Sequence, residues 1–158
     1  MSKHSLHNDI KVVQHLSCAA YTATQTPSNG IDTQGFESLE FIISHGTMAN
    51  AAASPQPSWT FKLQESDSQS SGFTDVVTAT DVVVNSAKSP VTTPNASTGV
   101  FLTVDAAAED DATYRISYIG AKRYVRVVAT AADTPGATPL AINAVLGHAN
   151  IRPTDDDA

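Results

Sequence analysis

The sequence predicts an all-β domain: an antiparallel β-sandwich or partly closed jelly-roll-like barrel with long loops and extended termini. Three observations lead there. Apolar residues recur at every second position in several segments, the period of a pleated strand with one buried face. Stretches bearing proline and glycine punctuate the chain between those segments. Only 16% of the 158 residues are charged, against roughly 25% in an average domain, and Ser, Thr, Ala and Asn take their place. Helices need Glu, Lys and Arg on their solvent faces, so this palette suits strands and loops.

Residues 1–9 read as a polar N-terminal arm, short of apolar anchors apart from Leu6. Residues 10–152 form one β domain, and 153–158 an acidic C-terminal tail. Within the domain, Ile10 to Leu16 is rich in β-branched residues and reads as a first strand. Thr26-Pro27-Ser28-Asn29-Gly30 carries both a proline and an Asn-Gly pair, strong turn chemistry. In Ser38 to Ser44, Leu39, Phe41 and Ile43 share one face, and His45-Gly46 closes the strand. Pro55 and Pro57 exclude a helix or central strand from the Ala- and Ser-rich stretch 47–58.

Trp59 to Glu65 alternates cleanly, with Trp59, Phe61 and Leu63 facing in and Thr60, Lys62 and Gln64 facing out. Glu65 to Gly72 reads as a solvated loop, and Phe73–Val77 and Asp81–Val84 as short strand pieces. A long connection over 85–99 leads to a strand at Val100–Val104, and Ala106–Ala112 makes one helical turn or a loop. Tyr114–Ile119 and Arg123–Thr130 read as two strands joined by Gly120-Ala121-Lys122, a three-residue hairpin loop. In Pro139 to Gly147, Leu140, Ile142, Ala144 and Leu146 alternate. Alanine and leucine allow a helix there, but the period and the flanking Pro and Gly favour a strand.

Composition also bounds function. The net charge is -7, and nonspecific nucleic-acid binding needs Lys and Arg to neutralise phosphates, so no nucleic-acid contact is expected. No segment reaches the roughly 18 apolar residues of a membrane helix, and the N-terminus lacks the apolar run of a secretory signal. Synthesis in the cytoplasm is the expectation. Cys18 is the only cysteine, so no intrachain disulfide forms; its flanks, Leu16, Ala19 and Ala20, suggest a buried side chain.

A search for reactive groups returns little. His4 and His7 lie three apart, but a zinc site needs three or four ligands and no partner sits at ligand spacing. Glu109-Asp110-Asp111 and Asp155-Asp156-Asp157 lack the alternating oxygens and turn glycine of a calcium loop and read as solvated charge. Neighbouring acids such as Glu37 and Glu40 define no glycosidase pair, which is set by spatial separation. No nucleophile elbow, phosphate loop or dinucleotide turn occurs. Asn95-Ala96-Ser97 matches a glycosylation acceptor without a secretion signal. No catalytic residue, metal site or cofactor is therefore assigned, and the expectation is a protein that is not an enzyme. Lys122, Arg123 and Arg126, with Arg115 on the preceding strand, form the one basic cluster. It either accepts an anionic group of a partner or pairs across the hairpin with surface acids, and strand geometry favours pairing. As candidate partner contacts we take Lys3, His4, His7, Arg123, Arg126 and Arg152.

The segment Gly120-Ala121-Lys122-Arg123-Tyr124-Val125-Arg126-Val127 resembles small virion proteins encoded among the head genes of tailed bacteriophages and prophages. The resemblance extends to Ile31–Leu39, Phe61–Ser66 and Ala144–Ala149, and so across most of residues 10–152. Its pieces are strand-forming stretches, not catalytic signatures. It implies a structural role, with capsid decoration (cement) as the most natural subtype. The partner would be the major capsid protein of a phage head, bound on the capsid exterior by a symmetric trimer or dimer. A tail tube, tail terminator or head–tail connector subunit is the alternative within the virion. A carbohydrate-binding β-sandwich is the alternative outside it, although Trp59 sits where a core residue belongs.

Overall fold

The computed structural model describes residues 6–7, 9–84 and 90–150. Lys3, His4 and Arg152, the 85–89 part of the long connection and the acidic tail lie outside them. Among the described residues ten strands run in the order β1 (Ile10–Tyr21), β2 (Ile31–Asp32), β3 (Phe36–His45), β4 (Ser58–Ser66), β5 (Thr74–Asp75), β6 (Val82–Val83), β7 (Val100–Val104), β8 (Ala112–Tyr118), β9 (Tyr124–Ala132) and β10 (Thr138–Ala149). The remaining regular structure among these residues is two three-residue 3₁₀ turns, Ala79–Asp81 and Ala107–Glu109. No helix among the described residues is long and apolar enough to cross a membrane.

The strands form two antiparallel sheets packed as a sandwich. Sheet A has the order β1-β10-β3-β8-β6; sheet B has the order β2-β9-β4-β5, with β7 also on β4. The alternation read from sequence becomes the core. Leu39, Phe41 and Ile43 of β3, Ile116 of β8 and Leu140, Ile142, Ala144 and Leu146 of β10 face Trp59, Phe61 and Leu63 of β4 and Val125 and Val127 of β9. The 139–147 segment is a strand, and its period decided it: a helix would have spread those four residues around its circumference. Trp59 is fully buried, which removes it as a sugar platform. Its indole N–H donates to Thr138 Oγ1 at 3.0 Å, satisfying the one polar atom the ring brings inside.

Two expectations are corrected. Residues 120–122 do not join a hairpin. β8 pairs with β3 and β6 in sheet A, whereas β9 pairs with β4 and β2 in sheet B. The turn therefore carries the chain from one sheet to the other, and Tyr118 explains why. Its buried hydroxyl accepts the Lys122 N–H and donates to the Glu65 carboxylate on β4, pinning the turn over the end of the core. Gly120 passes so close to the Tyr118 ring that a Cβ would overlap it. Cys18 is exposed, not buried. β1 is an edge strand with irregularities between Gln14 and Leu16 and between Leu16 and Ala19. These turn its second half away from the core, so apolar neighbours in sequence gave no cover.

Candidate functional site

Three places concentrate polar or titratable groups, and each follows from how the strands end. The first is a cleft of about 640 Å³ between the rim of β1 and the segment that runs through β2. Lys11, Gln14 and His15 line one wall, Asn29, Asp32 and Gln34 the other, with Val13, Ile31 and Phe36 below. His15 closes its inner end. Its Nε2 accepts the Val127 N–H of β9 at 3.0 Å, and its ring lies 5.3 Å from that of Phe41. The imidazole thus takes the place of a backbone carbonyl on the open edge of β9.

The rest of that edge is satisfied in other ways. Ile31 of β2 pairs with Val125, Gln25 exchanges two backbone hydrogen bonds with Ala129, and Thr24 Oγ1 accepts the Ala131 N–H. Burial, aided by the Arg126 charge, holds the His15 pKa down to about 4. The ring is neutral at neutral pH, and its Nε2 lone pair is already committed. It is a structural staple between the sheets, not a free base.

The second place was missed in the sequence. His45 and Asp110 are buried side by side, their side chains 0% and 4% exposed, with Nδ1 and Oδ1 3.5 Å apart. Neither His45 nitrogen nor Asp110 Oδ1 has a hydrogen-bond partner. Asp110 Oδ2 accepts the Met48 N–H, and Asp111 accepts the Thr47 hydroxyl, so the pair fixes the loop after β3 onto the turn before β8. Burial pushes the His45 pKa below its ordinary value, against the pull of Asp110. The expectation that Glu109-Asp110-Asp111 is solvated is therefore wrong for Asp110. The signal was available: His45 continues the 39, 41, 43 period and so had to point inward. Both side chains are withdrawn from solvent.

The third place is the basic cluster, which the structure disperses. Arg115 lies on the outer face of sheet A, 3.3 Å from Glu40. Lys122 pairs with Asp67. Arg123 forms a two-pronged pair with Asp32, its Nε and an Nη at 2.8 and 2.6 Å, and this holds the Asp32 carboxyl below its usual range. Arg126 donates to Gln64 Oε1 and to the Pro27 carbonyl, each at 2.8 Å, and stacks 3.9 Å above the Phe73 ring. Pairing was the favoured expectation, yet the partners come from other strands and loops, because residues 119–123 form a crossover. Arg123 and Arg126, taken as partner contacts, are thus engaged within the chain, and His7 is exposed at the start of the described chain.

Among the described residues, no three His, Cys, Asp or Glu side chains gather closely enough to hold a metal ion. Asn95 is a turn residue whose Oδ1 accepts the Ser97 and Thr98 N–H groups. No protein-family model, curated protein or solved structure matches the chain.

Proposed function

We propose that the chain is a structural protein of a tailed-bacteriophage virion, a decoration (cement) protein that binds the major capsid protein on the outside of the head and stabilises the shell. The observation that carries this reading is the placement of the two ends. β1 and β10 are neighbours with Ile10 opposite Gly147, so the start of β1 and the end of β10 lie side by side. The Asn150 N–H donates to the Gly35 carbonyl at 2.9 Å, which anchors the exit of the second. Two polar segments that start together can engage one surface at once, and each contact raises the effective concentration of the other.

The likeness of residues 10–152 to small head-gene proteins points the same way. So does the net charge of -7, which keeps the body from competing for packaged DNA. In this reading the protein is made in the host cytoplasm, ends on the capsid exterior and performs no catalysis.

Heads assembled without the protein should form but rupture at lower temperature or under milder osmotic shock. Adding back the full chain should restore them, and a chain lacking residues 1–9 and 153–158 should not bind. Heads equally robust without it would end the proposal. Copy number separates the shell from the tail: hundreds per particle fit a decorated lattice, tens fit a tail or ring.

A further inference from the structure

The outer face of sheet A is built unlike that of sheet B. Register places Val12, Val145, Glu40, Ser117 and Val83 in one row across all five strands. Gln14, Asn143, Ile42 and Arg115 form the next row. At the two edges Val12 is 56% and Val83 54% exposed, in positions where a sheet facing only water carries polar residues. On either side of Glu40 and Ser117 lie two open hollows, of about 350 Å³ beside Leu6 and Val145 and about 370 Å³ beside Val83 and Arg115. Glu40 and Arg115 are the only charged side chains in these two rows and offset one another, with Asp9 at the rim of the first hollow, so the rows are neutral in a chain of net charge -7.

From this pattern we infer that the outer face of sheet A binds a second copy of the same chain about a two-fold axis running along β3, the central strand. A chain this acidic repels its own copies except where a surface is neutral. That axis lays β1 of each copy over β6 of the other, so Val12 meets Val83 twice, and the apolar knob at each edge faces the hollow at the opposite edge. Arg115, 62% exposed although paired, then reaches Glu40 of the second copy as well as its own. An isologous contact needs this self-complementarity.

Five strands about 4.8 Å apart give a footprint of roughly 500 Å² per copy. This falls short of the roughly 800 Å² per partner of a standard interface, so the dimer is weak and reversible. Strands of the two copies run parallel under this operation, and the start of β1 and the end of β10 in both copies lie at the same end. The inference goes beyond the proposed function and does not rest on it, because it concerns the isolated protein.

Sedimentation velocity of the full chain from about 1 to 200 μM should show a monomer–dimer equilibrium with a dissociation constant in the micromolar range. Val12→Lys and Val83→Glu should each weaken it at least ~10-fold, and the double variant should recover most of the loss, because the two positions meet only across the axis. Both positions are more than half exposed, so circular dichroism should show the fold retained. A monomer at 200 μM, a trimer, single variants that associate like the wild type, or a double variant no better than the singles would each overturn the inference.

Discussion

The two sheets share one rule inside and follow different rules outside. Both bury every second residue against the common core. On the outside, sheet B carries Thr60, Lys62, Gln64, Arg126 and Thr130, of which Lys62, Gln64 and Arg126 are tied to one another and to overlying loops. Lys62 and Gln64 both bond Asp75, and Arg126 links Gln64 to the Pro27 carbonyl and the Phe73 ring. Even Val128, on the same side as Lys62, is only 4% exposed. Sheet A leaves Val12 and Val83 in the open. The difference teaches that inward alternation specifies the fold, whereas the outward positions differ by face: those of sheet B are tied to the chain itself, and those at the edges of sheet A are open to the contact inferred above.

The largest effect is expected where the two sheets meet. His15 belongs to the edge of sheet A but completes the edge of sheet B through the Val127 N–H. Its pKa falls from 6.5 to about 4 on folding, so between those values the unfolded chain binds more protons than the folded one. Stability is therefore full above pH 6.5 and declines as pH falls toward 4, by about 3 kcal/mol in all. His45, also depressed by burial, pulls in the same direction. His15→Gln keeps an acceptor near Val127 but cannot titrate. Urea midpoints between pH 4 and 8 should change less steeply in that variant. Parallel profiles for variant and wild type would show that the seam does not depend on a neutral imidazole.

Next in size is the staple that makes the outside of sheet B structural. Arg126→Ala removes charge-assisted bonds to Gln64 and Pro27 and a cation–π contact with Phe73. The expected loss is about 2 kcal/mol in chemical denaturation. Faster amide exchange should appear around Pro27 and Phe73, the two loops it holds down. A loss within about 0.5 kcal/mol, the range of ordinary surface changes, would erase the contrast between the faces.

How much of this was legible follows from which forces are local. β3, β4 and β10 could be read directly, because strict alternation needs no knowledge of the partner strand. The partner itself could not be read. Gly120-Ala121-Lys122 has hairpin chemistry, and only the bonds from the Tyr118 hydroxyl to Glu65 and Lys122 turn it into a crossover. Cys18 failed for a related reason: burial of a strand residue depends on whether the strand lies inside or at the edge of its sheet, and β1 lies at the edge. His45 was legible but unread, since its phase with Ile43 pointed it inward. Its meeting with Asp110, 65 residues away, is a tertiary event that no spacing encodes.

The smallest expected effect tests the other half of the contrast. If Val12 and Val83 do not stabilise the monomer, Val12→Thr and Val83→Thr should leave its stability within about 0.5 kcal/mol, measured at a protein concentration low enough to keep the chain dispersed. Threonine keeps the β-branched shape and strand preference, so only the exposed methyl group changes character. In the core the same exchange would bury a hydroxyl and cost far more. A loss of 1 kcal/mol or more at low concentration would mean that these valines pack within their own chain. The open face of sheet A would then be as self-contained as that of sheet B.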